Sequence, residues 1–378
     1  MAPRCPEFQP SAANHGSEGG NCLPSWPKSP CGRGRQHGSI LAMRVTQTPL
    51  LTQFWYPVIP VSLLEGGPRA FRLLGRDIVV WRDGEGRAAA LDDRCCHRTA
   101  KLSKGFYSNG VLACGYHGWE FDRDGTVVRV PQRPVDRQGR TNMSVPGYRA
   151  EIRYGYVWVA LAEPLYPIPD FEEEAEGFRH IDEFYESWSC AGLRVMENSF
   201  DNAHFAFVHR ASFGDQGHPE PAKVEIDEFA DGFTFRSEVP VRNPEAQKVL
   251  LNMDSDTTVR SMNARWYAPF LRKLRITYPN GLVHSIVTAA TPIDDQHSMI
   301  CQWVYRNDTE ADAPAQKVID FDRVVTGEDR EILESTDWDV PLDQAGREMN
   351  MPSDKPGVMM RRILARMIAD ADIVRAVE

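Results

Sequence analysis

No stretch of the 378-residue chain approaches the roughly 18 consecutive apolar residues that a membrane span needs; the run from Tyr156 to Ala162 is among the longest. An apolar core of the secretory-signal kind is missing near the N-terminus, so no signal peptide is expected. A basic excess is missing as well. Lys and Arg number 43 against 53 Asp and Glu, a net charge of −10, which argues against a nucleic-acid partner. The eight cysteines form no even, regularly spaced framework of a secreted disulfide scaffold, and a reducing cytoplasm fits them better. There is no Gly-x-Gly-x-x-Gly after a strand, so nicotinamide chemistry is not expected within this chain. Internal repeats are absent too.

What is present suffices for a packed core, with 42% apolar and 25% charged residues. Residues 1–42 stand apart: six Pro, six Gly and five Ser, few large apolar residues, and a net charge of +2. Such a segment cannot offset the entropy of ordering, and it is expected to be a disordered leader or an upstream extension before Met43. From Phe71 to about Leu161, short β-branched and aromatic runs alternate with turn signals. Ile78–Trp81 and Ala88–Leu91 flank a Gly-containing turn, and Glu120–Phe121 and Thr126–Val128 flank Asp124-Gly125; both read as hairpins. Beyond the Pro-rich connector Leu165–Pro169, strands such as Phe233–Phe235 and Met299–Val304 mix with helical spacing. Val318, Phe321, Val325, Ile332 and Leu333 make one helical set, and Met359, Ile363, Met367 and Ile368 another. The expected division is a leader over 1–42, an all-β domain over 43–165 and an α+β domain over 166–378.

Two constellations carry chemistry. Cys95-Cys96-His97 and Cys114-Gly115-Tyr116-His117 give Cys-x-His, sixteen residues, then Cys-x-x-His. Two thiolates and two imidazoles suit either zinc or an iron–sulfur centre. Zinc sites usually pair like ligands, whereas here each loop supplies one of each, the arrangement of a Rieske [2Fe-2S] cluster. Asp201, His204 and His209 form Asp-x₂-His-x₄-His. Asp201 and His204 can touch in a helix, but His204 and His209 lie about 140° apart on a regular one. Sharing a metal would take a bulge or a helix end, and on spacing alone the pair reads as ordinary half-buried histidines.

The string Cys95-Cys96-His97-Arg98 with Cys114-Gly115-Tyr116-His117-Gly118-Trp119 resembles the cluster loops of the Rieske non-haem iron oxygenases. One departure is Cys96, where that family commonly has Pro; it is given no ligand role. The string Glu197–His209 is similar to the family's mononuclear-iron motif, and Phe321–Glu334 resembles its C-terminal ligand helix. By that resemblance Cys95, His97, Cys114 and His117 hold the [2Fe-2S] cluster. His204, His209 and Asp329 would bind Fe(II), with Glu328 and Asp322 as fallbacks for the acid. Asp201 would be a bridging carboxylate, and Asn198 matches a position near the iron.

The resemblance further implies an α+β protein in which an all-β Rieske domain precedes a catalytic domain, and O₂ as co-substrate. NAD(P)H electrons would arrive through a separate reductase or ferredoxin. A head-to-tail homotrimer would pass them from His117 to Asp201 and His204 of the neighbour. The chain looks like the single-component branch with aromatic demethylases and monooxygenases, and Asn307-Asp308-Thr309 with Thr326–Leu342 also resembles oxygenases of the saxitoxin-pathway type. The expected reaction is hydroxylation of one C–H bond in a small cyclic compound. O- or N-demethylation or ring dihydroxylation of an aromatic compound is the alternative. A Rieske electron carrier or a zinc-organised binding module would explain the first constellation but not the second. Pocket residues are expected within Phe200–His209 and in strands between about Val259 and Trp303; Trp266 and Tyr267 read as core.

Overall fold

The computed structural model describes residues 43–139, 142–339, 342 and 348–377; the leader expected over 1–42 lies outside the described residues. The N-terminal region is all β. Its strands are β1 (Tyr56–Pro60), β2 (Arg69–Leu73), β3 (Arg76–Arg82), β4 (Ala88–Asp92), β5 (Phe106–Ser108), β6 (Val111–Ala113), β7 (Glu120–Phe121), β8 (Val127–Arg129), β9 (Gly147–Arg153) and β10 (Tyr156–Ala160). They sort into a six-stranded sheet, β1-β10-β9-β4-β3-β2, and a four-stranded sheet, β5-β6-β7-β8.

Both hairpins form where the turn signals place them. Ile78 pairs with Asp92 and Trp81 with Ala89 across β3 and β4. Asp83 fixes that turn by accepting from the Glu85 and Arg87 amides, each at 2.9 Å. Asp122 does the same between β7 and β8, accepting from Asp124 at 3.1 Å and Thr126 at 2.8 Å. Short acidic side chains favour such turns because they satisfy backbone donors locally.

The C-terminal region is α+β. Its elements run α1 (Glu172–Ala175), β11 (Arg179–Trp188), α2 (Gly192–Ser199), α3 (Phe205–Val208), β12 (Val224–Phe229), β13 (Gly232–Arg242) and α4 (Glu245–Leu251). Then follow β14 (Thr257–Tyr267), β15 (Leu271–Thr277), β16 (Val283–Pro292), β17 (Ser298–Arg306), α5 (Ala315–Leu333) and α6 (Lys355–Val377). The seven strands make one antiparallel sheet, β11-β17-β16-β15-β14-β13-β12.

Burial alternates along β13 and β14, as a sheet with one wet face requires. Nearly every position of β16 and β17 is shielded instead. Val287, Ala289, Cys301, Trp303 and Tyr305 pack on Tyr156 and Trp158 of β10. His284, Ile286 and Gln302, on the opposite side, line a cavity. Three hydrogen bonds fasten β1 onto this sheet: Thr291 Oγ1 to the Pro57 carbonyl at 2.7 Å, Cys301 Sγ to the same oxygen at 3.4 Å, and the Tyr185 hydroxyl to the Val58 carbonyl at 2.8 Å.

The helices differ in detail from their spacing. In α5, Val318 and Leu333 are buried, but Ile332 is 50% exposed and Asp322 turns inward instead. In α6 the deepest residues are Met360, Ile363 and Leu364, one position along from the expected Met359. The acidic Glu172–Glu174 run is not a solvated face either. Glu173 is fully buried, accepting from Ser285 at 2.8 Å and pairing with Arg275 at 3.1 Å and Lys273 at 3.3 Å. A buried carboxylate is tolerated there because two cations and a hydroxyl surround it.

Candidate metal centres

The two cysteine–histidine loops are near copies of each other. In the first, the Cys95 amide donates to Ala100 at 2.8 Å and the Thr99 amide to Cys95 at 3.0 Å. In the second, the Cys114 amide donates to Trp119 at 2.8 Å and the Gly118 amide to Cys114 at 2.9 Å. Each loop turns through a left-handed residue four positions after its cysteine, Thr99 at φ 56° and Gly118 at φ 71°. The loops also press on their supports: a Cβ on Gly115 would lie 2.5 Å from the Lys104 carbonyl oxygen.

This double turn brings the four expected side chains to one place. Cys95 and Cys114 are 2% and 1% exposed, and the His97 and His117 rings lie 4.7 Å apart. Trp119 stacks flat on His97 at 4.5 Å. Cys96 faces solvent. The buried Nδ1 of His97 has no hydrogen-bond partner. Burial pushes the Cys95 thiol up to about 11, so a thiolate there needs the positive charge of a metal to hold it. An orphaned imidazole nitrogen beside two buried thiols fits an iron–sulfur cluster.

The second constellation solves its spacing problem by breaking the helix. Helix α2 stops at Ser199, and Phe200 leaves the helical region with φ −121° and ψ 12°. Asp201 then caps the next turn, accepting from the Ala203 amide at 2.7 Å and the His204 amide at 3.2 Å. Helix α3 is one turn long and ends at His209. The two Nε2 atoms meet at 3.2 Å, and Asp329 Oδ1 from α5 lies 3.5 Å from that of His204 and 3.4 Å from that of His209. Cis ligands about 2.1 Å from a metal stand about 3.0 Å apart, so this triangle can close on one ion with a face left open.

Each triad member has a hydrogen-bonding partner beside it. His204 Nδ1 lies 3.2 Å from Asp201 Oδ2, His209 Nδ1 2.9 Å from Glu328 Oε2, and Asn198 Nδ2 donates to Asp329 Oδ1 at 3.2 Å. Glu328 is itself fixed by the Ser212 hydroxyl at 2.7 Å. These contacts orient the imidazoles with Nε2 inward. Burial holds His209 below the usual histidine range despite the neighbouring Asp329, which keeps Nε2 free to bind a metal. For Asp201, burial pushes upward, but hydrogen bonds from the His204 ring and nearby amides outweigh it and keep the carboxylate charged.

Two fallback acids have other positions. Glu328 touches the far nitrogen of His209 rather than the triad's open side, and in the sequence only the family resemblance set Asp329 ahead of it. Asp322 lies two turns earlier on α5, 3.1 Å from His284 Nε2. Trp266 is core, packed on Phe233 with its Nε1 donating to Pro269 at 3.2 Å.

Residues 54–148 match the Rieske [2Fe-2S] domain, and residues 188–370 match the vanillate O-demethylase oxygenase C-terminal domain. The chain belongs to the Rieske non-haem iron oxygenases. It is 28% identical over 330 residues to methylxanthine N1-demethylase NdmA of Pseudomonas putida, covering 84% of this chain and 89% of that protein. The 5,5'-dehydrodivanillate O-demethylase oxygenase subunit of a Sphingobium species is 30% identical over 212 residues, 52% of this chain and 49% of that one. The solved structure of P. putida NdmA with caffeine superimposes with a TM-score of 0.71 at 27% identity, covering 86% of this chain and 94% of that chain. The oxygenase thus uses a Rieske [2Fe-2S] cluster, a mononuclear iron and O₂. Among its described residues, no helix is long and apolar enough to cross a membrane.

Proposed function

We propose that this oxygenase inserts one oxygen atom of O₂ into a C–H bond of a small cyclic substrate, using electrons from a separate reductase or ferredoxin. The observation that carries the reading is the open-faced His204–His209–Asp329 triangle at one end of a cavity with about 120 Å³ of free volume. Iron bound there supplies O₂ activation, and the second oxygen leaves as water once two electrons and two protons are added. Where the oxidised carbon is an O- or N-methyl group, the hydroxymethyl product loses formaldehyde and the outcome is demethylation. The similarity to two demethylases favours that variant.

In this reading Cys95, His97, Cys114 and His117 hold the cluster, and His204, His209 and Asp329 hold the iron. Asn198 steadies Asp329. Asp201 binds His204 on its inner side while its side chain stays 28% exposed. That open edge suits a cluster histidine, His117, of a neighbouring copy, as in a head-to-tail trimer with heterologous interfaces. The cluster domain is assigned to 43–165, the catalytic domain to 166–378, and the site of action to the cytoplasm.

Protein purified without oxygen tests this by absorption and low-temperature EPR, with iron and sulfide assays. The expected result is a Rieske spectrum with about three irons and two sulfides per chain. His204→Ala is expected to keep the spectrum, lose one iron and form no oxygenated product. Product formation by His204→Ala would sink the iron assignment.

A further inference from the structure

The cavity that opens on the triad has polar lining residues besides the triad. Arg260 of β14 and Gln247 of α4 both line it, 6% and 1% exposed. Among the described residues the Arg260 guanidinium has no carboxylate partner and donates no hydrogen bond, and its Nε is buried without an acceptor. It rests on two aromatic faces, 4.4 Å from the Phe213 ring centre and 5.7 Å from that of Tyr278. Both amide atoms of Gln247 are likewise buried and make no full hydrogen bond, though the Tyr278 hydroxyl stands beside the amide. The arginine chosen for packing in the same cavity is treated differently. Arg306 is bound by Asp308 at 3.1 Å, His284 Nδ1 at 2.9 Å and the Leu250 carbonyl at 3.0 Å.

A buried guanidinium without a counter-charge is costly, and ring faces compensate only in part. An amide with neither its donor nor its acceptor used adds to that cost. Both penalties vanish if a ligand brings the missing partners. Leu251, Met262, Leu274 and Ile276 supply apolar walls to the same cavity. The distance spanned is short: Arg260 stacks on Phe213, and Phe213 lies 4.6 Å from the His209 ring.

We propose that Arg260 and Gln247 form a carboxylate-binding subsite, so that the substrate is a small ring carboxylate anchored there with its oxidised carbon facing the triad. The Arg260 guanidinium and Gln247 Nε2 donate to the carboxylate; Gln247 Oε1 accepts from a hydroxyl or N–H elsewhere on the ring. Discrimination follows from the pairing. A neutral analogue leaves the buried cation unmatched and binds more weakly. The inference rests on the iron-site reading only for which carbon reacts, not for the anion's position.

Calorimetric titration of the iron-loaded, full-length protein with 4-methoxybenzoate and with its neutral amide, 4-methoxybenzamide, tests it. The acid is expected to bind at least tenfold tighter than the amide. Arg260→Met is expected to remove that preference, bringing acid and amide affinities to within twofold of each other, and Arg260→Lys to keep part of it. Equal affinities, or no binding of either, would overturn the proposal. So would a preference that survives Arg260→Met but disappears in Arg272→Met, because Arg272, whose one side-chain bond is to Thr288 at 2.9 Å, lines the cavity elsewhere. Iron is assayed on the same samples. An acid preference in protein that holds no mononuclear iron would keep this subsite and end the oxygenase reading; iron without a preference would do the reverse.

Discussion

The two centres are built by opposite means. The cluster loops lie within 23 consecutive residues, and each is shaped by its own turn, so Cys95 and Cys114 would take nearly the same geometry on any β frame that held the strands. The proposed iron site takes two ligands from the caps of the one-turn helix α3 and the third from α5, some 120 residues later. Its geometry depends on how α5 rotates against α3. A locally encoded centre can be damaged only by local change, whereas a long-range one inherits every packing contact between its parts.

The largest expected effect breaks the comparison outright. Cys95→Ala should abolish the cluster spectrum and lower the melting temperature, because metal binding at such loops is part of the folding free energy. The mononuclear iron should remain at about one per chain. Loss of both metals together, measured by iron assay and EPR, would show that the two centres are not independent.

A smaller effect is expected from Glu328→Gln, which keeps the shape behind His209 but removes the charge. Iron affinity should fall by about 10- to 100-fold, with the cluster spectrum unchanged. Competition with a chelator measures it, and an unaltered affinity would mean that packing alone orients His209.

The smallest expected effect lies in the first loop. Thr99 adopts φ 56° where its counterpart is Gly118. A β-branched residue in that region is strained by roughly 1–2 kcal/mol, so Thr99→Gly should gain about 1 kcal/mol of stability in urea unfolding if the turn is unchanged. A loss instead would show that the threonine side chain makes a contact the turn needs.

The same contrast explains what the sequence disclosed. The meeting of Cys95, His97, Cys114 and His117, both small hairpins and the buried strand at Tyr156 were legible, because turn residues and alternation are local signals. His204 and His209 were legible only through family likeness. Their spacing argued against a shared metal, and what rescues it is that α3 lasts a single turn with His204 and His209 as its caps, a stop that leaves no mark in the sequence beyond Asp201 as a cap. Glu328 stood as a fallback to Asp329, since neighbours on a helix differ by about 100° and only the packed partner tells which points inward. The Glu173 ion cluster was hidden for the same reason. Its cations come from β15, about 100 residues away.

Pro57 and Val58, where β1 is fastened to the larger sheet by Thr291, Cys301 and Tyr185, carry a mechanical consequence. A common hydrophobic core runs across that seam, whereas the cysteine–histidine loops rest on a separate core around Leu102, Leu112 and Phe121. The seam is therefore a mortise rather than a hinge, and any flexing within one copy has to fall elsewhere.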